Sequence, residues 1–226
     1  MPGTWAVVPV KEAALAKSRL APDLPAEARV ALVRAMLEDV LAALAAVRGL
    51  AGIAVVTVDS VATHLAARHG ARVLREGARD GHTGAVTAAA RLLERESCGT
   101  MITIPGDVPA ASAEEVERVL AAHGRAPAFT IVPAHDRQGS NAVAVSPPTA
   151  VPLAFGNASF TPHLEAARRC AVEPVVVEHA PGLARDVDRR EDLVALLGLP
   201  GAHATKRALR DLMHQGGLIR LHDANA

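Results

Sequence analysis

The sequence predicts a single α/β domain spanning residues 1–226, built on a mostly parallel central sheet with helices on both faces. Three observations predict it. Short apolar runs rich in β-branched residues alternate nearly throughout with segments whose apolar residues recur at three and four, the spacing of one helical face. No repeat or long low-complexity linker interrupts that alternation. A chain of 226 residues with 50% hydrophobic content is also large enough to bury one substantial core. Strands that alternate with helices form parallel sheets buried on both faces.

The elements follow in order. Residues 4–10 (TWAVVPV) read as a first buried strand, which stops at the polar, cationic stretch KEAALAKSR. Beyond Pro22 and Pro25, the spacing of Val30, Val33, Leu37, Val40, Leu41 and Leu44 marks a helix that Gly49 ends. Residues 53–58 (IAVVTV) form a second buried strand, then come a helix over 61–69, a short strand over 72–74 and a glycine-rich loop over 77–84. A helix over 85–95 leads to a strand over 100–104 that runs directly into Pro105, Gly106 and Asp107. Ser112 with Glu115 is a capping-box signature for the next helix. Strands over 128–133 and 141–145, a helix over 161–171, a strand over 174–177 and closing helices over 190–197 and 204–214 complete the chain.

Composition removes several function classes. Lys plus Arg and Asp plus Glu both number 24, so no net charge favours nucleic acid or an anionic membrane surface. With no Tyr and 2% aromatics, stacking platforms for single-stranded nucleic acid lack raw material. Cys98 and Cys170 lie far apart without a CxxC or His-rich companion, which argues against disulfides or structural zinc and suits a reducing cytoplasm. The N-terminus lacks the layout of a secretion signal. Residues 40–58 are the one window apolar enough to raise a membrane span, but Arg48 near its centre and its Ala content favour two soluble elements joined at Arg48-Gly49.

Open α/β sheets bind ligands beyond the carboxyl ends of their strands, so the loops after strands hold the candidate chemistry. Lys11, Lys17 and Arg19 lie in the loop after the first strand, where an Arg fork and mobile Lys charges suit a triphosphate. An ordinary solvated cationic loop is the plainer reading. Asp107 follows a strand in PGDVP, stiffened by flanking prolines. Asp186 and Asp188 alternate in an extended segment and project to the same side, as hard oxygen ligands for magnesium. Alternatively Asp188 caps the helix that follows, and Asp186 pairs with Arg185 or Arg189.

Gly77, Gly81 and Gly84 do not make a GxGxxG fingerprint, and no GxxxxGK[ST] segment exists. Those glycines still let backbone approach a nucleotide. Gly139-Ser140-Asn141 and the stretch Phe155 to Phe160 offer backbone amides and the hydroxyls of Ser140 and Ser159 to an anionic second substrate; an N-cap at Ser159 and a plain turn at Gly139 are the alternatives. His163 stands out among ten histidines because it follows that anion loop.

In order along nearly the whole chain, VPVKEAALAKSRLAP, IPGDVP, GSNAV, FGNASFTPH and DVDRREDL resemble blocks of the CofC/FbiD family of guanylyltransferases. VPVK with AKSRL, and FGxxSFxxH, are distinctive of that family, whereas the acidic ending is shared with many nucleotidyltransferases of the same fold. The resemblance implies a Rossmann-like, GT-A-like nucleotidyltransferase fold. It implies transfer of GMP from GTP to a three-carbon phospho-acid, with release of pyrophosphate, in coenzyme F420 biosynthesis. Phosphoenolpyruvate or 3-phospho-D-glycerate is expected ahead of 2-phospho-L-lactate, and a downstream transferase would receive the product.

Carried over by motif, Lys17 and Arg19 contact the GTP phosphates and form the catalytic set with Asp107. Asp107, Asp186 and Asp188 hold Mg2+, while Pro9, Lys11, Gly84, Pro105 and Gly106 border the nucleotide. Ser140, Asn141, Gly156 and Ser159 line the acid's pocket, joined by His163. One departure stands out: where family members often carry Gly-Leu-Asn in the loop that receives the nucleotide, this chain has Gly81-His82-Thr83-Gly84. A nucleotidyltransferase of this fold acting on molybdopterin or an alcohol phosphate, and a non-catalytic nucleotide-binding module, are the competing readings.

Overall fold

A computed structural model describes residues 3–13, 17–156 and 158–214. The apolar runs form β1 (Thr4–Pro9), β2 (Leu50–Val56), β3 (Arg72–Leu74), β4 (Thr100–Thr103), β5 (Ala128–Pro133), β6 (Ser140–Ser146) and β7 (Val175–Val176). They make one seven-stranded sheet in the order β3-β2-β1-β4-β6-β5-β7. All neighbours pair in parallel except across β6, which runs antiparallel to both β4 and β5. The physical reason is the short link over 134–139, which carries no helix and so permits a hairpin but no crossover. The expected α/β architecture therefore holds, with one reversed strand.

Among the described residues seven α-helices accompany this sheet: α1 (Ala26–Ala46), α2 (Ser60–Arg68), α3 (Gly81–Arg95), α4 (Ala113–Ala122), α5 (Phe160–Arg169), α6 (Arg190–Gly198) and α7 (His203–His214). Alternate strand residues divide between the two faces, as the period of two requires. Ala6, Val8, Ile53, Val55, Ile102 and Ile104 pack under α1, α2 and α4, while Val7, Ala54, Val56 and Met101 pack under α3 and α5. α1 is buried on a second side, where Leu32 and Met36 meet Leu193, Leu196 and Leu209 of α6 and α7. Among the described residues no helix is long and apolar enough to cross a membrane; the window over 40–58 divides into α1 and β2.

Several polar ties fix the tail of the chain over the sheet. Asp39 on α1 accepts hydrogen bonds from the backbone amides of Ala204 and Thr205 and from the Thr205 hydroxyl, capping the start of α7. The predicted capping box is present on α4, where Ser112 and Glu115 satisfy each other's backbone amides. The Glu115 carboxylate also accepts from the amides of Gly182 and Leu183, at 2.8 and 3.1 Å. Gly182 is obligatory there, because a Cβ would lie 2.1 Å from the Ala110 carbonyl oxygen. This buried turn aims the next residues, 184–188, across the end of β4.

The glycine-rich loop departs from the expected plan. α3 begins at Gly81 rather than after Gly84, on a turn in which Gly77 and Gly81 both take positive φ, 74° and 73°. A Cβ on Gly77 would sit 2.7 Å from the Gly84 carbonyl, and one on Gly84 would sit 2.3 Å from Asp80 Cβ. These two glycines let the turn pack onto the first turn of its own helix.

Candidate active site

The chain moves outward from β1 to β2 and β3, then returns to the other side of β1 to place β4. That reversal opens a crevice beyond the carboxyl ends of β1 and β4, where the candidate residues gather. Asp107 follows β4 on the half-buried segment Pro105-Gly106, with Gly106 near Val10 of the first loop. The Val187 amide donates to the Asp107 carbonyl at 3.0 Å, which fixes the 186–188 segment beside it. Val187 is fully buried, so Asp186 and Asp188 are turned the other way, toward the crevice.

Lys17 occupies the centre. Its backbone is left-handed, with φ 55° and ψ 41°, just before a short 3-10 turn, Ser18–Leu20. Its ammonium donates to Asp107 Oδ2 and to Asp188 Oδ1, both at 2.7 Å, and Arg19 donates to Asp188 Oδ2 at 3.1 Å. The Lys17 side chain is only 6% exposed, against 32% for Asp107 and 38% for Asp188. Burial alone would disfavour the charged amine, yet the two carboxylates outweigh it and hold Lys17 protonated, above its ordinary range. At Asp188 burial pushes the carboxyl up, and Lys17 and Arg19 more than offset this, leaving it below the usual carboxylate range.

Asp186 is held by a neutral partner instead. Burial pushes its carboxyl up; a 3.1 Å hydrogen bond from Asn141 Nδ2 on β6 offsets only part of this, and the charges of Asp107 and Asp188 push the same way. Neither plainer reading of these two acids describes the structure. Asp186 is held by Asn141, and the start of α6 is satisfied by Asp192, which accepts from the amides of Asp188 and Arg189. Among the described residues no three His, Cys, Asp or Glu side chains close into a ready-made metal cage.

A second group of residues lies across β6. Ser140, Ser159 and His163 are all buried. His163 Nε2 accepts from the Ala154 amide at 2.9 Å, so in the neutral ring Nδ1 carries the proton and donates to Ser140 Oγ, also at 2.9 Å. Burial holds the ring neutral, with a pKa pushed down to about 4. Ser159 donates to Ser140 at 3.2 Å and makes no cap to α5, so the plain N-cap reading fails. The expectation that His163 touches substrate gives way as well: it is 1% exposed and both ring nitrogens are committed inside the protein. It positions Ser140, whose own hydroxyl proton has no acceptor among the described residues. Gly156 borders open space on its Cβ side; Asn157, like residues 14–16, lies outside the described residues.

A cleft open to solvent, with about 260 Å³ of empty space counting its open mouth, lies at the ends of β1 and β2, lined by Pro9, Val10, Lys11, Val56, Ala78, Gly81, His82 and Ala85. Pro9 and Lys11, two of the residues expected to border the nucleotide, both line it. Gly84 does not line the cleft, being packed against Asp80. Lys11 is exposed and lines this cleft, whereas Lys17 and Arg19 pair with Asp107 and Asp188. His82 is the lining residue that pattern reasoning passed over; its ring stacks on Phe155 at 4.2 Å, and Thr83 Oγ1 accepts from the Phe155 amide at 2.9 Å. Only the departure from Gly-Leu-Asn in the sequence pointed to this position.

Comparison with known proteins bears on what the site does. Residues 4–216 match the family described as "Guanylyl transferase CofC like". A phosphoenolpyruvate guanylyltransferase of Rubrobacter xylanophilus is 38% identical over 192 residues, covering 85% of this chain and 92% of that protein. Another, from Roseiflexus sp., is 36% identical over 212 residues, covering 94% and 93%. Among solved structures, a nucleotidyl transferase from Methanothermobacter thermautotroptrophicus superposes with a TM-score of 0.59 at 16% identity, covering 92% of this chain and 98% of that one. That likeness is one of fold.

Proposed function

The chain belongs to the CofC-like guanylyl transferase family, and from that premise we propose that it transfers GMP from GTP to phosphoenolpyruvate, releasing pyrophosphate, as a step of coenzyme F420 biosynthesis. Membership favours this over the molybdopterin, alcohol-phosphate and non-catalytic readings. The relatives' names favour phosphoenolpyruvate over 3-phospho-D-glycerate and 2-phospho-L-lactate. The observation that carries the proposal is the convergence of Lys17, Arg19, Asp107 and Asp188 within hydrogen-bonding distance, from segments far apart in the chain.

In the proposed reaction a phosphate oxygen of the acid attacks the α-phosphorus of GTP. The new P–O bond forms as the bond to the bridging β-phosphate oxygen breaks, and pyrophosphate leaves with that electron pair. No strong base is required, since a phosphate monoester's second pKa is about 6 and the nucleophile is largely ionised at neutral pH. The work is to position two polyanions and cancel their repulsion. Arg19, half exposed, offers the guanidinium nitrogens not engaged by Asp188 or by other described residues to the triphosphate, and Lys17 supplies a fixed buried charge. The Ser140 hydroxyl, aimed by His163 and Ser159, offers a donor to the acid's phosphate or carboxylate.

The residues present fit a magnesium ion. Asp107 and Asp188 already turn oxygens onto one cationic centre, the Lys17 ammonium, and the charges of both act on Asp186 beside them. Magnesium commonly takes one or two carboxylates and completes its shell with waters and substrate phosphates, so a closed protein cage is not needed. Bound there, it would neutralise charge developing on the α-phosphate. Asn141 would keep Asp186 oriented toward it. The activated product is a diphosphate, in which the acid's phosphate and GMP share an anhydride oxygen, for a downstream transferase.

The test is pyrophosphate release by the purified protein with Mg2+, pairing GTP, ATP and CTP in turn with the three acids. Turnover is expected with GTP and phosphoenolpyruvate. Activity confined to CTP, or to an alcohol phosphate, would overturn the proposal.

A further inference from the structure

The cleft beside the catalytic cluster holds a polar side chain that neither the proposed mechanism nor the packing explains. His82 lines it, and Nε2 of the ring is buried with no hydrogen-bond partner among the described residues. An orphaned buried polar atom forfeits its hydration without return, so folded proteins keep few of them. The ring is not loosely placed. Phe155 stacks on it at a 22° interplanar angle, and His163 meets the same Phe155 edge-on at 4.9 Å. Thr83, next in sequence, is bonded through Oγ1 to both the amide and the carbonyl of Phe155.

The rest of the wall says what kind of group belongs there. Pro9, Val10, Val56, Ala78 and Ala85 are apolar, so the cleft suits a flat, largely uncharged body better than a phosphate chain. Lys11 alone among the lining side chains carries a charge. Burial drives the His82 pKa down to about 4; Asp107 works against that and Lys11 with it, so the imidazole is neutral at physiological pH. A neutral imidazole pairs with a neutral polar edge and offers nothing ionic to an anion. The cleft adjoins the cluster that would hold the phosphates, because Gly106, next to Asp107, faces the lining residue Val10, whose Cγ2 would lie 3.5 Å from a Cβ there.

We infer that His82 is a specificity-determining residue for the nucleotide: its phenylalanine-backed imidazole supplies the hydrogen-bonding edge that selects the purine base in an otherwise apolar cleft. The inference rests on the proposed use of GTP. It assigns to His82 a choice among bases and leaves transfer to the Lys17 and Asp107 cluster.

The test is calorimetric binding of GTP, inosine triphosphate and ATP, each with Mg2+ and without the acid, to the wild type, His82→Phe and His82→Asn. Phe keeps the stack on Phe155 and removes the nitrogens; Asn keeps a hydrogen-bonding edge and removes the ring. Wild-type protein that binds GTP no better than ATP overturns the guanylyl reading itself, before any variant is compared. With that preference in place, His82→Phe should weaken GTP about tenfold, the equivalent of about 1.4 kcal/mol, and ATP less than twofold. Its melting temperature without ligand should be unchanged or raised, because the orphaned nitrogen is gone. His82→Asn should keep more of the preference than His82→Phe. GTP binding by His82→Phe within twofold of wild type, or equal losses for GTP and ATP, overturns the inference. So does equal loss of preference in both variants.

Discussion

Replacing Lys17 with Met keeps most of the side-chain volume and removes the charge that joins the first loop to the middle and the tail of the chain. The amine is 6% exposed and makes two 2.7 Å ion pairs, so it resembles a buried partner, whose loss costs about 3–5 kcal/mol. The two carboxylates are 32% and 38% exposed, so water reaches them and screens their mutual repulsion once the lysine is gone. Between these limits a loss of about 2 kcal/mol is expected. For a domain of this size that lowers the melting temperature by about 4–8 °C. Thermal unfolding followed by circular dichroism, with and without Mg2+, reads the outcome. Mg2+ should restore more stability to the variant than it adds to the wild type, since Asp107 and Asp188 are released to it. A melting temperature within about 1 °C of wild type would refute the reasoning, because no buried, doubly paired charge could vanish so quietly.

Two further outcomes follow from the neighbouring residues. His163 is neutral in the fold with a pKa near 4, while the unfolded chain takes up a proton below about 6.5; stability present above pH 6.5 is therefore lost as pH falls toward 4, and His82 adds a loss of the same sign. Guanidinium unfolding at pH 7.5 and 4.5 should show His163→Gln relieved of about 2 kcal/mol of that loss, and identical pH dependence in variant and wild type would count against it. Gly84→Ala should destabilise by about 1–3 kcal/mol, because its Cβ would overlap Asp80 at 2.3 Å, whereas Gly156→Ala meets nothing within 4 Å among the described residues and should leave the melting temperature unchanged. Equal melting temperatures for these two variants would contradict the packing role given to Gly84.

The sheet and its helices were legible because hydrophobic period reports on burial, and burial is what the sheet imposes. β3, β5 and most helix limits lie within a few residues of the pattern, and Ser112 with Glu115 announced α4 correctly. The second role of Glu115, anchoring Gly182 and Leu183, left no mark, since a contact 67 residues away has no local signature. The same applies inside the site. Acidic and basic candidates were visible as residue types after strands, but that Lys17 would pair with both Asp107 and Asp188 depends on the left-handed turn at Lys17 and the Val187 tie, which no periodicity encodes. Gly84 misled because glycine serves close packing and ligand approach equally well. His82 and the tautomer of His163 depend on side-chain surroundings that only coordinates supply.

The central claim is that Asp107, held against Lys17 at the end of β4, serves guanylyl transfer rather than the fold. Following label from α-32P GTP into the acid adduct, with Mg2+ and phosphoenolpyruvate, tests it in wild type and in an Asp107→Ala variant shown by circular dichroism to be folded. The account predicts adduct from the wild type and at least a hundredfold slower transfer by the variant. Wild-type rates from the folded variant would contradict it.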